Sequence, residues 1–427
     1  MDSNTRHLLR LEAVRERANI VFRLAEQGKL HHYDYHPERL DATVDYVAGI
    51  IQRDFGPDRY DQIPPHGRWQ HFDVGGVPRI QKLIERWDAS GYDDKEKVRS
   101  LLDLFFVSVL LDAGAGDTWR YVEKETGAVF TRSEGIAVAS LYMFLNGDFA
   151  NKGSERKDVV HGEALRTLSV DTLLRGFQVD DSSNPLLGAS ARVQILQRLG
   201  ESLRNLPEIF GPSGRPGQIA DYLLAMSKGS IDYLVLWDVL QKTLIPIWPS
   251  DRTKVNGYPI GDAWPLAVLA EQSPSSTTDS IQPFHKLTQW LAYSLKVPFE
   301  RLLSLKWQNA ELGTGLPEYR NGGLFIDMGV LTLKPEAQER GLRTSGGSLP
   351  CFAVADGEIV EWRAMTVALL DKLHERILQS GKFGAVQLSL PQMLEAGSWK
   401  AGRELAAKYR PETKSSPILN SGDGTLF

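Results

Sequence analysis

The sequence predicts a mainly α fold: a single large helical unit with a small β-hairpin near the C-terminus. Three observations predict it. Apolar residues recur at three- and four-residue steps along most of the chain, strand-like alternation is sparse, and no internal repeat or heptad marks off another architecture. The 427 residues are 42% hydrophobic and include 10 Trp, ample for a large core. A helical catalytic domain is expected over residues 1–408, as one body or as two lobes around a cleft. Residues 409–427 read as a polar, glycine-rich tail that frays.

Leu8, Leu9, Leu11, Val14 and Ala18 open the chain with an amphipathic helix. A second helix fits 40–55, with Asp41 as a possible cap. The aromatic, proline-rich run 63–69 is a loop. Residues 77–87, 94–111 and 133–146 are further helices, the last stopped by Gly147. In 192–206, Val193, Leu196, Leu199 and Leu203 share one face. Helices are expected at 219–226 and 231–244, irregular chain at 245–264 and a flexible Ser/Thr-rich loop at 271–280. A helix over 284–295 starts just after Pro283. Residues 351–354 and 358–362 flank Ala355-Asp356-Gly357, and the Asp-Gly step suggests a hairpin. A helix follows at 364–379.

The formal net charge of −5 argues against nucleic-acid binding through phosphate neutralisation, though a small phosphorylated ligand needs only a few local cations. Cys351 is the only cysteine, which excludes an intrachain disulfide and suits a cytoplasmic location. Residues 1–17 lack the apolar run of a secretory signal, and 101–111 is too short to span a bilayer, so no membrane partner is expected.

The turn-like run Gly315-Leu316-Pro317-Glu318-Tyr319-Arg320-Asn321-Gly322-Gly323 sets an acid, a phenol and a guanidinium side by side between helix breakers. On the helix over 284–295, Lys286, Gln289 and Tyr293 form one polar stripe. Residues 248–264 concentrate Trp248, Asp251, Arg252, Asp262 and Trp264, a set able to stack on and pair with a polar planar ligand, or to form a braced surface loop. His31, His32 and His36 around Asp34 match no zinc spacing and read as a solvated loop. Gly75-Gly76-Val77-Pro78-Arg79 and Gly114-Ala115-Gly116 fit no nucleotide-binding pattern. There is no Gly-x-Ser-x-Gly elbow and no His-Glu-x-x-His.

His71-Phe72-Asp73-Val74-Gly75-Gly76-Val77-Pro78-Arg79, residues 104–116 with Trp119, Arg132-Ser133-Glu134-Gly135, the tryptophan-rich loop 247–264 and residues 315–325 together resemble the uracil catabolism protein 4 family. The resemblance covers about residues 18–408. It implies a role in a pathway that degrades uracil through a ribosylated intermediate and releases urea, and other enzymes of that pathway as possible partners. A more distant resemblance is to queuosine-salvage N-glycosidases, which implies a core like that of helix-hairpin-helix glycosylases. Gly75-Gly76-Val77-Pro78-Arg79 is similar to their Gly-Gly-Val-Arg-Arg run, and His285-Lys286-Leu287-Thr288-Gln289-Trp290 to their Tyr-Lys-Arg-Ala-Gln-Ile. Pro317-Glu318-Tyr319-Arg320 is similar to their Ala-Asp-Tyr-Arg, with Glu for the aspartate that serves the glycosidic bond. Glu361-Trp362-Arg363-Ala364 is similar to their Glu-Ile-Arg-Gly segment.

These resemblances imply an N-glycoside hydrolase acting on ribosylurea or its 5′-phosphate, with Glu318 and Lys286 catalytic. Arg320, Tyr319, Gln289, Asp251, Arg252, Asp262 and Asp327 are the candidate substrate-binding residues. Trp119, Trp248 and Trp264 are the candidate pocket walls. No metal or other cofactor is implied. Two other readings remain open on sequence: a ureido or pyrimidine hydrolase or deaminase of the same pathway, and a non-catalytic ligand-binding or scaffold protein.

Overall fold

The computed structural model describes residues 1–112, 118–227, 229–249 and 252–422. The helices that build the site are α1 (Leu11–Glu26), α2 (Leu40–Phe55), α3 (Asp94–Leu111), α4 (Arg132–Asn146), α5 (Lys286–Leu303), α6 (Tyr319–Asp327), α7 (Gly357–Gln379) and α8 (Trp399–Tyr409). Ala189–Arg204, Ile219–Met226, Tyr233–Leu244 and shorter helices complete a mainly α fold. Among the described residues, strands occur only in two-stranded pairs, and no helix is long and apolar enough to cross a membrane.

Burial explains the arrangement. Every residue of α3 from Leu101 to Leu111 is buried, so this helix is enclosed on all sides. Its one interior acid, Asp103, accepts from Arg215 Nε and Gly217 N, both at 2.7 Å. Helix α3 packs against α5 and α4, while α7 packs against α1, α2 and α6. Helix α6 is held at backbone distance from two neighbours. A Cβ on Gly322 would lie 2.7 Å from the Trp362 ring on α7, and one on Gly402 of α8 would lie 2.0 Å from the Arg320 carbonyl oxygen. Only glycine permits such approaches.

Asp262 and Arg363 form the central polar link. Arg363 Nη1 and Nη2 donate to the two Asp262 carboxylate oxygens at 2.8 and 2.7 Å, and both side chains are almost wholly buried. Asp262 also accepts from Trp264 Nε1 (2.8 Å) and from the backbone N–H of Lys286 (3.0 Å). Arg363 Nε reaches the Pro317 carbonyl at 3.3 Å. Burial opposes ionisation of Asp262, but Arg363 and the other donors outweigh it and hold the carboxyl well below its usual range.

Four local expectations change. The hairpin around Asp356-Gly357 does not form; Asp356 starts α7, and its Oδ2 accepts the Ala353 N–H at 2.9 Å. Strand Cys351–Ala353 instead pairs in parallel with Leu419–Ser421. Residues 319–327 are helical rather than a turn, because Glu318 caps their first N–H groups. Helix α5 continues through Pro298 to Leu303, where Val297, Pro298 and Phe299 are buried. The stretch after Tyr409 is docked as far as it is described: Arg410 makes a bidentate pair with Asp327 (2.8 and 2.5 Å), and Ile418 is buried.

Removing one partner of a buried ion pair leaves an uncompensated charge. Arg363→Met is therefore expected to cost about 3–5 kcal/mol, read as a lower urea midpoint. The double change Asp262→Leu with Arg363→Met is expected to recover much of that loss. An unchanged midpoint for Arg363→Met would show that the pair does not hold the fold.

Candidate functional site

Two helix starts converge here. Lys286 is the first residue of α5, placed by the backbone contacts to Asp262: Phe284 and His285 donate to its carbonyl at 2.9 and 3.1 Å, and Lys286 to its carboxylate. His285 takes a left-handed conformation (φ 46°), uncommon for a non-glycine residue and often found near functional sites. Glu318 is the N-cap of α6. Its Oε2 accepts the Arg320 N–H at 2.8 Å and its Oε1 the Asn321 N–H at 2.5 Å, so the carboxylate is fixed in orientation.

Glu318 and Lys286 act on each other electrostatically across this space. Burial raises the Glu318 pKa against the opposing backbone bonds and the Lys286 charge. Burial, reinforced by the nearby Arg363 charge, brings Lys286 down to about 8, with Glu318 and Asp262 pulling the other way. Both side chains are strongly desolvated, yet both residues keep partial solvent access. Groups that are closely surrounded but still reachable are able to meet a small ligand.

Tyr319 and Arg320 follow Glu318 at the start of α6, and the Arg320 guanidinium lies 4.8 Å from the Tyr319 ring centroid. Gln289 stands one turn beyond Lys286. It is 1% exposed, its amide comes near the Tyr293 hydroxyl, and neither amide atom reaches hydrogen-bonding geometry with any partner. Tyr293 donates instead to the Thr314 carbonyl at 2.7 Å. The Arg252 guanidinium lies 5.9 Å from the Trp248 ring centroid and 5.4 Å from that of Trp264, and Trp264 joins this group to the α5 start through Asp262. Asp251 and Gly114-Ala115-Gly116 lie outside the described residues.

Three expected ligand contacts are structural instead. Asp262 has no accessible surface, and both its oxygens are held by Arg363, Trp264 and Lys286. Asp327 is held by Arg410. Trp119 is fully buried, donates Nε1 to the Phe177 carbonyl (2.9 Å) and packs on the Phe177 ring, so it belongs to the core. The histidines near position 31 have local acidic partners: His31 meets Glu271 at 3.1 Å, and His32 meets Glu358 at 3.7 Å.

Other residues enter that sequence reasoning did not single out. Asp112, at the end of α3, pairs with the buried Arg68 at 2.5 Å and acts electrostatically on both Lys286 and Tyr319. The only sequence signal was an acid closing a long apolar run. His71 lies edge-on to Trp290 (5.5 Å) and Trp399 (5.7 Å), and its Nδ1 is buried without a hydrogen-bond partner. Burial, aided by Arg68, favours its neutral form. His66 beside it pairs with Glu395 at 2.5 Å, on a π-helical turn, Leu394–Ser398, of a kind often found at functional sites. Trp290 follows Lys286 by one turn of α5, so this imidazole and indole group adjoins the carboxylate and amine. The whole set offers an oriented carboxylate, an amine that burial brings down to about 8 and planar apolar surfaces, groups suited to polar bond cleavage.

Comparison with known proteins agrees with the sequence reading. "Uracil catabolism protein 4" of Lachancea kluyveri is 45% identical over 443 aligned residues, covering 100% of both chains. "Protein urg3" of Schizosaccharomyces pombe is 47% identical over 430, covering 98% of each. The family model described as "Protein of unknown function (DUF1688)" matches residues 7–427, and the chain belongs to that family.

Proposed function

We propose that this protein serves uracil catabolism as an N-glycoside hydrolase that cleaves the C1′–N bond of ribosylurea or its 5′-phosphate. The printed name of the Lachancea relative supports the pathway. One observation supports the reaction: a backbone-clamped carboxylate, Glu318, in electrostatic reach of a desolvated lysine, Lys286. The reading places the protein in the cytosol, with other enzymes of the pathway as potential partners.

Breaking the C1′–N bond builds positive charge on the pentose. Glu318 cannot swing away, so its charge is preorganised for that moment. A water oxygen bonds to C1′ as the C1′–N pair departs with the ureido nitrogen. Urea leaves poorly as an anion, and Lys286 supplies the proton to that nitrogen. An acid with a pKa near the working pH is best suited to such a transfer. Glu318 takes the proton released by the attacking water, and solvent exchange restores both groups. The net change is ribosylurea plus water to urea plus ribose, with the phosphate carried through unchanged if present. Gln289, Tyr319, His71 and Trp290 are placed to position the pentose and its planar substituent.

Glu318→Gln is expected to retain ligand binding and lower kcat by about a hundredfold to ten-thousandfold, measured as free urea and reducing sugar from ribosylurea and its 5′-phosphate. Wild-type turnover in that variant would remove Glu318 from the reaction; ammonia release without reducing sugar would favour hydrolysis at the ureido group instead.

The titrations give a bell. Activity should rise with pH as Glu318 ionises, above the usual carboxylate value because burial raises it, and fall as Lys286 loses its proton at about 8. Lys286→Arg keeps a positive charge at every accessible pH but does not release its proton. It should therefore abolish turnover while preserving binding. Substantial activity in Lys286→Arg would make residue 286 an anchoring charge and not the donor.

A further inference from the structure

Three buried guanidiniums near the core have acidic partners. Arg68 pairs with Asp112, Arg79 with Glu123 and Arg363 with Asp262. Arg320 is 5% exposed, yet no carboxylate lies within ion-pair distance among the described residues. Its Nη1 donates to the Lys414 carbonyl at 2.9 Å, while Nε and Nη2 make no hydrogen bond to the described chain. Two further guanidiniums, Arg132 and Arg403, act on it as like charges. A buried cation with no ion-pair partner and like charges nearby is costly to maintain in a packed interior, and only the more distant Glu318 and Tyr319 act in its favour. It is understandable where an anionic ligand completes the pairing.

The surroundings favour such a ligand. Arg132 starts α4 in a left-handed conformation (φ 53°) and donates Nη2 to the Thr413 carbonyl at 3.3 Å. Arg403 lies 4.7 Å from the Trp399 ring centroid and meets Glu134 at 2.6 Å. Arg403, Lys400, Lys414 and Trp399 line a cavity of about 500 Å³ that Glu395 and Glu404 also border, and Arg320 reaches its edge through the Lys414 carbonyl. Thus Arg132 on α4 and Arg320 on α6 are braced by adjacent carbonyls of the segment after α8, and Arg403 on α8 shares a cavity wall with Lys414 of that segment. Arg320 is two residues from Glu318 on the same helix start, so an anion held here can belong to the pentose whose C1′ faces Glu318.

We propose that Arg320, with Arg132 and Arg403, forms a subsite for a phosphomonoester dianion on the 5′ position of the substrate pentose. A phosphoryl group presents three oxygens and can take fork-shaped donors from several sides, whereas a planar carboxylate matches a single fork. The subsite selects the phosphorylated form of the substrate proposed above. Its choice of pentose rests on that reading, whereas its anion chemistry rests on the arginines alone.

Calorimetric titration with ribose 5-phosphate, ribose, ribonate and inorganic phosphate tests it on the full chain. Ribose 5-phosphate is expected to bind about tenfold to a hundredfold more tightly than ribose, ribonate or inorganic phosphate. Arg320→Gln, checked for folding by circular dichroism, should erase most of the preference over ribose. The wild-type comparison stands even if that variant fails to fold. Equal binding of ribose and ribose 5-phosphate, or a stronger response to ribonate, overturns the subsite. Hydrolysis assays separate the two claims. Phosphate-selective binding with no turnover on either ribosylurea defeats the hydrolase and upholds the subsite. Equal kcat/KM on the phosphorylated and unphosphorylated forms upholds the hydrolase and defeats the subsite.

Discussion

The buried pair between Asp262 and Arg363 is the contact on which the rest depends. It joins an irregular segment near the middle of the chain to a long helix 101 residues later. Through the Asp262 backbone and carboxylate it fixes the start of α5, and through Arg363 it grips the carbonyl just before Glu318. A pair of this kind gives little net stability, because desolvation offsets its attraction. Its value here is positional: two helix starts that carry an amine and a carboxylate are registered against one rigid fork.

That registration shapes the local chemistry. The Arg363 charge that locks Asp262 also disfavours a proton on Lys286, so one guanidinium both braces the fold and tunes a neighbouring amine. Glu318 experiences opposing influences: the helix N-terminus steadies its charge while enclosure penalises it. Unequal environments for an acid and a base within one recess are the usual means by which a protein divides proton-transfer roles.

The large elements were legible because burial leaves a periodic trace. Helices 40–55 and 94–111 coincide with the observed α2 and α3, since their apolar positions and flanking turns point the same way. Glu318 stood out in the run 315–325 and Lys286 in the polar stripe of its helix as candidates, and the resemblance paired them; their mutual influence depends on folding that no spacing reveals. Asp262 was misread because the arginine that claims it is remote in sequence. The Asp-Gly step at 356–357 misled for a different reason: the same pair that closes hairpins also opens helices. Gly322 and Gly323 looked like turn residues, but they let α6 approach Trp362 and Pro417. His71 stood only as part of a motif with no role attached, and Asp112 gave almost no signal, because a single polar residue next to an apolar run is common in ordinary cores.

The segment after α8 carries a consequence for biosynthesis. Arg320 is braced by a carbonyl 94 residues downstream, and the final described strand closes against Cys351–Ala353. A nascent polypeptide lacks this brace until the segment around Lys414 has left the ribosome. The surroundings of Arg320 therefore reach their finished shape only after that segment docks, and a product cut before it would have the reactive groups without the frame that aims them.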